Sequence, residues 1–184
     1  MNGLDIALRL VGAFYVLGGA LLVRAVLSVR MLDAAIATIS AEKPGAGSDG
    51  RALWHLANAV LLFAGGLALM LLSDLAVWLF VTSLAGQALY LFWLAPAHFD
   101  RLDAPDELGR RQSLNAFAIY AAATALVVWG WWRARLVHWR DEPWEMLAAA
   151  GAAIAVLIGY IVLAWRRPLG PDRHSRTPDG DDHA

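Results

Sequence analysis

The run from residue 52 to residue 95, ALWHLANAVLLFAGGLALMLLSDLAVWLFVTSLAGQALYLFWLA, decides the fold. It is apolar almost throughout, and a helix needs only about 20 such residues to cross roughly 30 Å of hydrocarbon. Forty-four residues are too many for one crossing. Ser73 and Asp74, alone in the middle, therefore mark a tight antiparallel turn between two spans, with Asp74 placed to cap the helix that follows.

Three further segments pass the same length test. The spans are expected at Ile6 to Leu27, Ala52 to Leu72, Leu75 to Ala95, Leu114 to Trp132 and Met146 to Trp165. The first begins MNGLD, with an acid where a secretory signal has its basic region, so it reads as an uncleaved span. Asp5 stands four residues before Arg9, a spacing that suits a helical ion pair. Composition agrees with a membrane class: 59% of the 184 residues are hydrophobic, 17% are charged, and the mean hydropathy is +0.52. The fold expected is all-α, a polytopic bundle of five transmembrane helices.

Orientation follows from the arginines. Arg24, Arg30, Lys43, Arg51, Arg101, Arg110, Arg111, Arg166, Arg167, Arg173 and Arg176 fall on one side; Arg9, Arg133, Arg135 and Arg140 fall on the other. The richer side is expected in the cytoplasm, with the N-terminus outside and the C-terminus inside. Trp78, Trp129, Trp131, Trp132, Trp139 and Trp144 gather at the outer ends of the spans and Trp54, Trp93 and Trp165 at the inner ends, as headgroup anchors do.

Between the first two spans, Val29, Leu32, Ile36 and Ile39 recur on one helical face. Residues 28–42 read as a cytoplasmic amphipathic helix or an extension of the first span, and PGAGSDG (44–50) as a flexible linker. The tail 166–184 is rich in Pro, Gly and charge and is expected to be disordered. One Lys against fourteen Arg, with abundant Ala, suggests a bacterium of high-GC genome, and the localisation expected is a bacterial inner membrane.

The chemistry readable from the chain is sparse. Zero Cys removes disulfides, thiolate metal sites and Cys nucleophiles. The formal charge of -1, without a basic stripe, argues against nucleic acid. His55 and His98 invite a haem or metal bridge, but counted from Asp74 their depths differ by roughly 7 to 8 Å, and Pro96 is expected to break the helix before His98. No hydroxyl nucleophile with a His and an acid, no phosphate loop and no HExxH motif occurs. No cofactor, metal or enzymatic activity is expected.

Polar and small residues inside the spans carry what remains. Asn58, Gln87 and Tyr90 lie at matching depths across the hairpin and are expected to form a polar core cluster or a ligand site, with Ser83 and Gly86 on the same face and Tyr120 and Thr124 as its possible extension. Gly151, Ala155 and Gly159 form a small-xxx-small ladder in the fifth span, and Gly12, Val16 and Ala20 a weaker one in the first. The function expected is a structural or accessory subunit in a membrane complex, with lipid and another membrane protein or a second copy as partners. The alternative is a small carrier or binding protein for a neutral or lipidic molecule.

Overall fold

The computed structural model describes residues 2–40, 48–99 and 107–166. The last part of the amphipathic segment, most of the linker and nearly all of the tail lie outside the described residues. Five helices are long and apolar enough to cross a membrane, and among the described residues there is no strand. They are α1 (Gly3–Ser40), α2 (Ser48–Met70), α3 (Leu75–Leu89, whose span continues to His98), α4 (Glu107–Trp132) and α5 (Trp144–Trp165). This is the architecture of a multi-pass membrane protein.

Several helices extend beyond the apolar stretches that announce them. α1 runs unbroken from the first span into the amphipathic segment, so that segment is an extension and not a separate element. Ser48, Asp49 and Gly50, expected in the linker, form the first turn of α2, where Asp49 meets the positive end of the helix dipole. Pro96 does not end the third helix: α3 passes at Tyr90 into a π-helix, Tyr90–Phe99, that carries Pro96 inside it. The wider i→i+5 winding moves the carbonyl that the Pro ring would strike in an α-helix and leaves the missing N–H without consequence for an α ladder.

α1 and α2 form the most extensive pair, and glycine makes their approach possible. A Cβ built on Gly66 would lie 2.6 Å from the Gly12 carbonyl oxygen, and one on Gly19 would lie 2.9 Å from the Ala59 carbonyl oxygen. Backbones this close gain dispersion contacts that replace the hydrophobic drive lipid cannot supply. The working ladder on α1 is thus Gly12, Val16 and Gly19, one position off the expected Ala20. Gly65, on another face of α2, makes room for the Phe80 ring of α3 at 3.0 Å.

The larger core cluster fills the half of the bundle nearer Asp74. Tyr15, Phe80 and Tyr120 bring three helices together there, with Tyr15 edge-on to Phe80 at 5.2 Å and Phe80 stacked on Tyr120 at 5.6 Å. Leu8 occupies the notch left by Gly130 of α4. A second cluster at the opposite end joins Val23, Leu27, Leu56 and Ala59 to Leu157, Ile161, Ala164 and Trp165 of α5.

The Asp74 end is closed by hydrogen bonds between two turns. Both α2 and α4 end in a Schellman arrangement, with Leu72 (φ 63°) and Ala134 (φ 51°) in the left-handed position usually held by glycine. Ser73 N–H donates to Ala68 O and Leu72 N–H to Leu69 O; Arg135 N–H donates to Gly130 O and Ala134 N–H to Trp131 O. The freed backbone of each turn then pairs with the other: Val137 N–H donates to Leu72 O at 2.7 Å and Asp74 N–H to Val137 O at 2.9 Å. The Asp74 carboxylate makes no capping bond to α3. Its Oδ1 accepts from Trp139 N–H at 3.0 Å, because a helical backbone at Asp74 (φ -65°, ψ -18°) points the side chain away from the first turn of α3. Asp5 likewise turns from Arg9 and lies 4.0 Å from Arg135, drawing the start of α1 to the same loop.

Candidate functional site

The polar residues inside the bundle lie along the seam between α2 and α3, where α4 backs onto α3. Ser83, fully buried, donates its hydroxyl to Asn58 Oδ1 at 2.8 Å. Gly86, one turn on, faces Asn58 and Trp54, with a Cβ position 4.0 Å from each, at ordinary van der Waals distance. Tyr90 then packs between the Trp54 ring, stacked at 6.2 Å, and the His55 ring, edge-on at 4.9 Å. On the far side of α3, the Tyr120 hydroxyl donates to the Phe80 carbonyl at 3.2 Å and the Thr124 hydroxyl to the Tyr120 carbonyl at 2.9 Å.

Asn58 and Tyr90 therefore belong to one seam. Counting residues from Asp74 puts them level; in the folded chain Asn58 meets Ser83 and Gly86, while Tyr90 meets Trp54 and His55. The difference is about one helical turn, roughly 5 Å, and it arises because residues 71–74 form the turn and the two helices are staggered. Gln87 is partly buried, and among the described residues no hydrogen bond joins its side-chain amide to another residue. One more polar atom in the seam lacks a partner: the Trp54 indole Nε1, which is buried. Tyr120 and Thr124 donate to backbone carbonyls of α3 and α4, and the Tyr120 hydroxyl also lies against the Ser83 and Thr124 hydroxyls, which links both residues to the Asn58 pair.

His55 is half-buried against Tyr90, and His98 is exposed at the end of the π-helix. Among the described residues no three of His, Cys, Asp or Glu stand together as a metal site. At the Asp74 end, His138 Nε2 lies 3.9 Å from Asp74 Oδ2, and the His138 ring stacks on Trp139. These groups seal two loops, and their chemistry is that of a latch.

The small-residue ladders divide sharply. Gly12, Gly19 and Gly66 are filled by neighbouring backbone, whereas a Cβ on Gly151 or Gly159 would meet nothing within 4 Å. α5 has no buried residue at all.

A residue that patterning missed joins three helices at the end opposite Asp74. Arg30 of α1 lays its guanidinium 3.6 Å from the centroid of the Trp165 ring, donates to the Trp165 carbonyl at 3.2 Å and pairs with Asp49 of α2 at 3.2 Å. The planar fork serves a ring face, a helix C-terminus and a carboxylate at once, which Lys does not do. Its only sequence signals are an Arg and an Asp of opposite sign near helix ends, indistinguishable from solvated charge. Comparison with protein-family models, with curated proteins and with solved structures gives no match.

Proposed function

We propose that this chain is a structural or accessory subunit of a membrane complex in a bacterial inner membrane, oriented with the Asp74 end outside and the Arg30 end in the cytoplasm. The observation that carries the reading is the unfilled ladder on α5. Gly12, Gly19 and Gly66 between α1 and α2 are each matched by an approaching backbone, while Gly151 and Gly159 meet nothing within 4 Å and Ala155 between them is exposed, on a helix held to the rest mainly near Trp165. A transmembrane helix with such a face packs closely against another helix, and the partner is a different membrane protein or a second copy. The charge asymmetry between the two ends supports the orientation.

The experiment is extraction from the native host in mild detergent, with mass measured by light scattering. The full chain is expected in a particle larger than one chain plus its detergent, and Gly151→Ile with Gly159→Ile is expected to release it without lowering its melting temperature. A lone wild-type monomer contradicts the reading.

The unpaired Trp54 indole and Gln87 amide favour one alternative, a carrier or binding protein for a neutral or lipidic molecule held along Asn58, Gln87 and Tyr90. Under that reading Gln87→Leu abolishes ligand retention while leaving the fold intact. Unchanged retention rules it out.

A further inference from the structure

A groove of about 120 Å³ opens between α1 and α5 at the Arg30 end. Its wall on α1 presents Arg24, Ser28 and Arg30; Tyr160 and Ala164 of α5 form the opposite wall, and Leu27 the floor. The charges are unequal in their commitments. Arg30 is matched by Asp49 and Trp165. Among the described residues the Arg24 guanidinium has no ion pair or hydrogen bond, and the Tyr160 hydroxyl has none either. Ser28 donates its hydroxyl to the Arg24 carbonyl at 2.9 Å. Among the described residues no carboxylate lines the groove. One uncompensated cation and one unused phenol donor thus converge on a space well below the roughly 300 Å³ at which drug-sized ligand pockets begin.

A second feature leads into the groove. Leu10, Phe14, Leu17 and Leu21 form a single stripe on α1, spaced at alternating four and three residues, and each is about two-thirds exposed. The next two positions of that spacing are Arg24 and Ser28. From Leu10 to Leu21 the stripe is ~16 Å long at ~1.5 Å per residue, close to half of the ~30 Å hydrocarbon core. An apolar track one leaflet long that ends at a guanidinium matches an acyl chain attached to a phosphate.

We propose that this groove holds the phosphate of an anionic phospholipid, with Arg24 and Tyr160 donating to the phosphate oxygens and one acyl chain lying along Leu21, Leu17, Phe14 and Leu10. The site requires insertion in a bilayer but is independent of the subunit reading, since it uses α1 and the inward edge of α5 rather than the Gly151 ladder. A guanidinium merely reaching into bulk headgroups would serve any lipid equally; the groove adds a second donor and a fixed position.

Native mass spectrometry of the full chain, delipidated in neutral detergent and titrated with phosphatidylglycerol, tests this. The wild type is expected to retain one phosphatidylglycerol in preference to phosphatidylcholine. Arg24→Gln is expected to weaken retention about tenfold and Tyr160→Phe several-fold, the losses appropriate to a charged and a neutral hydrogen bond. Arg9→Gln, which removes an exposed cation from the other end of α1, is expected to change nothing. Glycerol phosphate and inorganic phosphate, which lack acyl chains, are expected not to displace the lipid at equal concentration.

Equal retention by Arg24→Gln and wild type overturns the proposal, as does equal weakening by Arg9→Gln. Displacement by inorganic phosphate alone also overturns it and marks the groove as a free-anion site. If Arg24→Gln fails to fold, Tyr160→Phe decides: wild-type retention in that variant removes the phenol from the site and with it the proposed geometry.

Discussion

Asn58 and Gln87 are both amides in apolar helices, and the structure gives them different standing. Asn58 is buried and accepts from Ser83, so Asn58→Leu strands a buried hydroxyl and is expected to cost roughly 0.6–1.7 kcal/mol, the range measured for polar contacts between membrane helices. Gln87 makes no such bond, so Gln87→Leu is expected to leave unfolding in detergent unchanged. Equal losses in the two variants, in denaturant or thermal titration, contradict the assignment. Ala134 supplies a second residue-scale test. Its left-handed backbone strains an L-residue by about 1–2 kcal/mol, partly offset by the extra chain entropy of glycine. Ala134→Gly is therefore expected to stabilise by about 0.5–1 kcal/mol, read as a raised melting temperature. Leu72 holds the same conformation but also packs against the core, so its replacement by Gly lacks that simple sign.

At the scale of helices, the hydropathy pattern placed all five elements but not their ends or their faces. The ends of α2 and α4 escaped because these helices continue into polar sequence, Ser48 to Arg51 and Glu107 to Ser113, where helix is not announced by apolar runs, whereas the amphipathic face at Val29, Leu32 and Ile36 had announced the continuation of α1. The faces escaped because a small residue fits equally well against backbone or lipid. The ladder with the clearer pattern, Gly151 to Gly159, is the unfilled one, and the weaker one at Gly12 is where the chains touch. The Asn58 seam was legible as a set of residues, but its pairing depended on the stagger between α2 and α3, which residue counting does not contain. Packing now makes a sharp contrast. Gly66→Ala pushes a methyl group into the Gly12 carbonyl and is expected to cost about 2–3 kcal/mol or to prevent folding, whereas Gly159→Ala meets open space and is expected to leave the isolated chain's stability within about 0.5 kcal/mol. Equal effects, measured as the fraction folded in a detergent unfolding series, contradict the α1–α2 interface.

For the whole molecule, the two ends are built from different materials. Backbone pairing through Leu72, Asp74 and Val137 closes one end, and the single side chain of Arg30 ties three helices at the other. In the proposed topology five crossings separate these ends across the bilayer and put the chain's termini on opposite faces. The absence of native Cys makes this directly measurable, because any introduced thiol is the sole target of a maleimide. Arg140→Cys and Ala184→Cys, each labelled in intact spheroplasts with a membrane-impermeant maleimide, test the central claim. The account predicts immediate labelling at position 140 and labelling at position 184 only after permeabilisation. Labelling of both from the same side contradicts five crossings, and the reverse pattern contradicts the orientation.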